Sequence, residues 1–398
     1  MLSASLSQGF AGSAGFALGW FISPLRGFRA SLACGPIQLL ALALAVSACS
    51  PQGSPLGDPS GRGKALVITT DYQDGATSLV DMRSLETWRS LERIHPDAVC
   101  RYDPRTRTPY VVSRMGADAV ALLDPDDGWR VCGEYSVGAG SNPQDIGVIS
   151  AERAYVLRYA DPALSIVHPS EGTELGTLDL GAWADADGVP EAAWALVHEE
   201  SLFVSLQRLT DFQPAGYSSL LVLDGARGEV EREIRLSAPN PFAPLRYVPE
   251  LDRVAVIEAG VFGELDGGIE LLPPGADGPA GLAVREQDLG GDLVDAELLD
   301  GQRGYAILGV PKSDSQMRTR LVRFDPSGAE PLAVLLDADD YDYSFLTLSP
   351  DRSQLWVCDR NREAPGVRII DTRTDAELSA QPIDTGLPPY MICFVPED

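Results

Sequence analysis

Residues 110–128 read YVVSRMGADAVALLDPDDG. Two short runs rich in β-branched, aliphatic and aromatic residues, YVVSR (110–114) and ALLD (121–124), are separated by a glycine-containing break and closed by an acidic turn. Short apolar runs bounded by Gly, Pro and Asp are the signature of β-strands joined by turns. One such pair fits any all-β fold. Its recurrence along the chain decides which one.

The ALLD type of run recurs as SLVD (78–81), ALLD (121–124), SIVH (165–168), LVLD (221–224), ELLP (270–273), VRFD (322–325) and RIID (368–371). These seven copies are separated by 43, 44, 56, 49, 52 and 46 residues. An earlier run precedes each copy: ALVITTD (65–71), YVVSR (110–114), YVLR (155–158), LFVSLQR (202–208), RVAVIE (253–258), GYAILG (304–309) and QLWVCDR (354–360). A third run opens most units: PDAVCRY (96–102), PQDIGVI (143–149), PEAAWALV (190–197), PLRYV (244–248), VDAELL (294–299) and YSFLTL (343–348). A period of this length signals a repeat architecture. The first unit lacks its opening run, whereas the C-terminus has a spare one, PPYMICFV (388–395). The expected fold is therefore all-β, a seven-bladed β-propeller of four-stranded blades. Its C-terminal strand completes the first blade, so that no radial edge stays open.

The YV pairs at 110–111 and 155–156, with the following turns and the repeat spacing, resemble the YVTN-repeat, lactonase-like seven-bladed propellers, a group of exported proteins. The resemblance covers roughly residues 64–398 and implies the fold. It also brings lactone hydrolysis forward as an activity, although a fold does not carry a function.

The first 49 residues differ from the rest. An apolar run, residues 37–46, follows Arg26 and Arg29 and ends in Val46-Ser47-Ala48-Cys49, which resembles a bacterial lipobox. The expectation is a lipoprotein signal peptide over 1–48, lipidation of Cys49, a flexible Gly/Ser/Pro tether over 49–63 and the propeller over 64–398. Lipid chains on Cys49 would anchor the chain to a membrane. Ser50, in place of Asp, points by resemblance to the outer membrane of a Gram-negative envelope.

The formal charge is −27, and arginine far outnumbers lysine. Such a surface repels nucleic acid and anionic headgroups. Beyond Cys49, the mature chain holds Cys100, Cys132, Cys358 and Cys393. In an oxidising compartment these are expected to pair. Cys358 with Cys393 is the leading candidate, tying the last blade to the closing strand. Cys100 with Cys393, at matching positions of adjacent blades, is the rival.

In a propeller, the starts of the innermost strands and the ends of the second strands share one mouth of the central channel. This places Arg114, Arg158, Arg208 and Arg360 near Asp97, Asp145 and Glu191, as inter-blade ion pairs or as a site for a small polar or anionic ligand. The loop ADADGVPE (184–191) falls on the same face. Asp185, Asp187 and Glu191 are spaced like calcium ligands, and Gly188 suits a sharp turn. The alternative is an Asx turn that needs no metal. His95, His168 and His198 fall at unrelated repeat positions and converge on no triad. The expected function is a membrane-anchored binding or scaffold module acting through this face on an unknown protein or small ligand. A lactonase-like hydrolase and a calcium-stabilised module are the alternatives, and calcium is the only cofactor suggested.

Overall fold

The computed structural model describes residues 57–313, 316–328 and 332–397. The leader, Cys49 and the first half of the tether lie outside the described residues.

Seven antiparallel sheets follow one another along the chain. Counting outward from the axis, blade two uses Ala98–Asp103, Thr108–Ser113, Ala119–Asp124 and Arg130–Ser136. Blade three uses Pro143–Ser150, Arg153–Arg158, Ala163–Val167 and Glu174–Asp179. Blade four uses Ala192–His198, Ser201–Leu206, Ser219–Asp224 and Glu229–Arg235. Blade five uses Arg246–Val248, Arg253–Glu258, Gly268–Leu272 and Leu282–Arg285, and blade six Asp292–Leu298, Gly304–Ser313, Gln316–Phe324 and Ala333–Asp337. Blade seven has Tyr343–Leu348, Gln354–Asp359 and Gly366–Asp371, with residues 377–383 as its outer edge through bridges Val367↔Ile383 and Ile370↔Glu377. The protein is a seven-bladed β-propeller.

Blade one is closed as the spare C-terminal run predicts. Pro389–Val395 is its innermost strand, antiparallel to Lys64–Thr70, with Leu66 opposite Cys393 and Lys64 opposite Val395. Gly75–Asp81 comes next, and the outer position is split between Thr87–Trp88 and Arg93–Ile94.

The second strand of every blade is buried on both faces, which is why these runs read as continuous apolar stretches rather than alternating ones. Their large side chains fill the wedges between blades. Tyr155 reaches across to blade four, its hydroxyl donating to the Gly225 carbonyl at 2.9 Å, and Tyr305 reaches Thr372 of blade seven at 3.1 Å. The outermost strands alternate between half-buried and exposed, as solvent-facing edges should.

The end of the expected tether is held against the ring. Gly61 N–H donates to the Pro125 carbonyl at 2.7 Å, Ser60 Oγ accepts from Gly128 N–H, and the fully buried Trp129 indole N–H donates to the Gly61 carbonyl at 3.1 Å. Trp129→Phe keeps the ring but removes that donor. Hydrogen exchange at the Gly61 and Gly63 amides is expected to quicken by about fivefold, since a single net hydrogen bond is worth roughly 1 kcal/mol, with global melting little changed.

Candidate functional site

The mouth is built by one repeated contact. In five of the blades, the residue that follows the second strand donates its N–H to a carbonyl that precedes the innermost strand. Arg114 bonds to Asp97, Tyr159 to Asn142, Gln207 to Glu191, Ala259 to Asn240 and Arg360 to Asp342, all between 2.7 and 3.1 Å. This defines two columns around the channel. Arg114 and Arg360 belong to the first column. Arg158 and Arg208 are each one residue out of it, and in a strand one residue turns a side chain to the opposite face.

The four arginines therefore have different partners. Arg114 is 2 % exposed and forks onto Asp97 at 2.8 Å, while donating to Gln144 Oε1 at 2.8 Å and the Tyr390 hydroxyl at 2.9 Å. It thus ties blade two to blades three and one. Arg360 lies 4.6 Å from the centre of the Tyr72 ring. It donates to the carbonyls of Pro389 and Thr70 at 3.1 and 3.0 Å, fastening blade seven to both strands of the closure. Arg158 pairs locally with Asp161. Arg208 donates to the Tyr217 carbonyl at 2.8 Å and stacks on that ring, with Arg235 also within cation–π range of it.

The acids also divide. Asp97 and Glu191 are in the second column, but Asp145 is three residues further along its strand and leaves the mouth for the channel wall. There it forms a fork–fork pair with Arg101 of blade two, with Nε–Oδ1 at 3.0 Å. Asp145 also accepts the Ala195 N–H of blade four at 3.0 Å, and Arg101 donates to the Ala195 carbonyl at 3.1 Å. One Arg–Asp pair thereby clasps three consecutive innermost strands. The device occurs twice. Arg246 of blade five pairs with Asp295 of blade six at 2.9 Å and donates to the Leu346 carbonyl of blade seven, whose N–H returns to Asp295. Glu297 adds a second carboxylate on Arg246 at 2.7 Å. Burial works against the Arg246 charge, but Asp295 and Glu297 outweigh it and hold its pKa above the usual arginine value. Neither Arg101 nor Arg246 ends a second strand, so a search at strand ends passes them by. The signal is the Arg-Tyr dipeptide at 101–102 and 246–247, repeated at matching places in blades two and five.

Glu191 is the unusual member of its column. Its counterparts in blades three and five, Asn142 and Asn240, share its left-handed backbone, φ 47° and 61° against 49°. Asparagine tolerates that conformation better than glutamate. Glu191 is 6 % exposed and accepts the Leu209 N–H at 3.0 Å. Burial pushes its carboxyl up to about 8 against that hydrogen bond, with Asp187 and Asp185 adding to the rise. A raised carboxyl binds its proton more tightly in the folded chain than the unfolded one. Its contribution to stability is full below about pH 4.5 and is lost as pH rises toward 8. Glu191→Gln is expected to stabilise the protein by on the order of 2 kcal/mol at pH 8 and by nothing at pH 4, measured as melting shifts at the two pH values.

In ADADGVPE, Asp185 Oδ1 accepts the Asp187 N–H at 3.1 Å and Asp187 Oδ1 accepts the Val189 N–H at 2.8 Å. Gly188 takes φ 89°. These are Asx turns. Asp185 also accepts from the Thr210 hydroxyl at 2.9 Å. Among the described residues, no group of three or more His, Cys, Asp or Glu side chains is arranged to hold a metal ion.

The same face carries elements the repeats do not announce. Between the second and third strands of blade four, residues 209–214 form a small hairpin, Leu209–Thr210 with Gln213–Pro214, whose tip is Asp211-Phe212. Both tip residues have left-handed backbone, and Phe212 is 48 % exposed. In blade five the 259–267 loop brings Phe262 edge-on to Phe242 at 5.3 Å. In blade six the hairpin extends beyond the innermost strand, with Val310 paired to Arg318 and Pro311 to Met317. Lys312 on this extension donates to the Asp339 carbonyl at 2.8 Å. Blades four to six thus raise a crown on one side of the mouth. Cys100, Cys132, Cys358 and Cys393 are all unpaired, so neither the expected Cys358–Cys393 bridge nor its rival Cys100–Cys393 is formed. Cys358 is fully buried within blade seven between Phe345 and Val367 on its neighbouring strands, whereas Cys393 lies opposite Leu66 on the innermost strand of blade one.

No family model and no curated protein matches the chain. Solved structures do. Hydrazine synthase of Kuenenia stuttgartiensis is similar at a TM-score of 0.57 and 17 % identity, over 75 % of this chain and 89 % of that one. A Bacteroides fragilis protein provisionally assigned as a 6-phosphogluconolactonase aligns at 0.56 and 12 % identity, over 83 % and 97 %. Dihydro-haem d1 dehydrogenase NirN aligns at 0.52 and 15 %, over 84 % and 75 %. At these identities the likeness concerns the propeller fold alone.

Proposed function

We propose that this propeller is a binding or scaffold module, carried into a bacterial cell envelope as a lipoprotein anchored through Cys49 and acting through the crown of blades four to six. One observation carries the reading: a hairpin inserted into an otherwise regular blade holds Phe212 half-exposed at its tip, in a backbone conformation that phenylalanine rarely adopts. Exposed aromatic residues on built loops are anchors for protein partners. Arg114 and Arg360 spend their donors on Asp97, Gln144, Tyr390 and the closure carbonyls, and Arg158 and Arg208 are engaged by Asp161 and the Tyr217 carbonyl while each keeps a buried Nε without a partner; this engagement favours a protein over a small anionic ligand. The acidic surface sets nucleic acid aside.

Crosslinked capture from native envelope membranes tests this. Phe212→Ala is expected to reduce capture of the specific partner at least tenfold with melting unchanged. Equal capture by wild type and variant sinks the reading.

A second reading, a lactonase-like hydrolase, is favoured by Glu191 alone. It is a buried carboxyl with a raised pKa and strained backbone at the channel mouth, the kind of group that serves as a general acid. Turnover of simple lactones by wild type and not by Glu191→Gln would establish it in place of the binding module.

A further inference from the structure

We propose that Cys100 and Cys393 form a thiol pair that oxidises to a disulfide between the innermost strands of blades two and one, converting the non-covalent closure of the ring into a covalent one. Cys393 stands opposite Leu66 in the pairing of the closing strand. Cys100 is buried on the adjacent innermost strand, and its thiol points at that same residue, with Sγ 3.9 Å from the Leu66 carbonyl. Two thiols from different blades therefore meet at one cross-strand position. Burial first, and then the neighbouring Cys393 thiol, push the Cys100 thiol well above its usual range. Cys358 contributes more weakly to that rise, and Cys132 sits alone and exposed on the rim strand of blade two.

Exposure sets the order of events. Cys393 is half-buried and Cys100 is almost fully buried, so an oxidant reaches Cys393 first. The Cys393 thiolate attacks a disulfide donor such as oxidised glutathione, forming a mixed disulfide and releasing one glutathione thiolate. Cys100, giving up its proton, then attacks the Cys393 sulfur and expels the second glutathione. Two protein thiols lose two electrons and two protons, and one donor disulfide is reduced to two thiols. The loop closed this way contains nearly the whole ring, from blade two round to the last strand. Long closed loops remove the most freedom from the unfolded chain. Burial of Cys100 makes the step slow without a donor.

The test uses the full chain, refolded with oxidised glutathione or held in dithiothreitol, then digested without reduction. The expected product is a peptide containing Cys100 linked to one containing Cys393, with melting raised by about 5 °C over the reduced protein. Cys393→Ser should lose the shift, while Cys358→Ser and Cys132→Ser should keep it. A Cys358–Cys393 link, any link through Cys132, or alkylatable thiols at all of Cys100, Cys132, Cys358 and Cys393 after oxidation under conditions that oxidise a denatured control would each overturn the proposal.

Discussion

A chain ended after Leu387 is expected not to fold. The truncation removes the innermost strand of blade one and with it the pairing of Lys64–Thr70 along Pro389–Val395. Three nearly or fully buried side chains go as well, Met391, Ile392 and Val395. At about 2 kcal/mol each, their burial alone is worth roughly 6 kcal/mol. The loss also leaves the backbone of a fully buried strand facing the channel without partners, and strips the Pro388 and Pro389 carbonyls from Arg360. Against a total stability of about 5–15 kcal/mol, little or nothing remains. Circular dichroism of the truncated protein should lack a cooperative melt. Adding a peptide spanning 388–398 should restore one in proportion to its concentration, because the missing element is an edge strand that can be supplied from outside.

The second large effect is at the paired clasps. Asp145→Ala leaves the Arg101 guanidinium against the channel wall without its carboxylate, and Asp295→Ala does the same to Arg246, which is itself only 9 % exposed. Breaking one side of a buried ion pair costs about 3–5 kcal/mol, because a desolvated charge remains. Each variant also frees a backbone N–H, that of Ala195 or Leu346, in the innermost strand of the next blade. The expected loss is at the upper end of that range for Asp145. It is smaller for Asp295, since Glu297 stays on Arg246. Removing both partners with apolar residues of like volume, Arg101→Met with Asp145→Leu, should recover most of the loss. Denaturant melts of the two single variants and the double variant, treated as a cycle, measure the coupling.

How much of this was readable in the residues follows from what repeats and what does not. The strand runs are set by burial, and burial imposes the same apolar residues on every blade. QLWVCDR and RVAVIE therefore mark second strands at 354–359 and 253–258 without any structure. PPYMICFV was legible as the closing strand because only the first unit lacked an opener. The mouth was legible as a place but not as a set of contacts. Arg158 and Arg208 end strands as Arg114 does, yet each stands one residue out of register, and register depends on bulges such as the shift between Leu157 and Arg158 that no composition reveals. Asp145 looked like Asp97 and instead joined Arg101, a residue hidden mid-strand. The 209–214 hairpin appeared only as a longer spacing, 56 residues where most are under 50, since a loop insert carries no periodicity.

The face that meets a partner can be read with one amine-reactive crosslinker. The sequence has lysines only at 64 and 312; Lys64 is buried beneath residues 60–62, while Lys312 is exposed on the blade-six extension of the crown. Crosslinking mass spectrometry on captured complexes is predicted to place the partner on Lys312, with the link lost in Phe212→Ala. Complexes in which Lys312 stays free, while a carboxyl-reactive reagent links the partner through Asp126, Glu171 or Asp252 on the opposite face, would contradict the account.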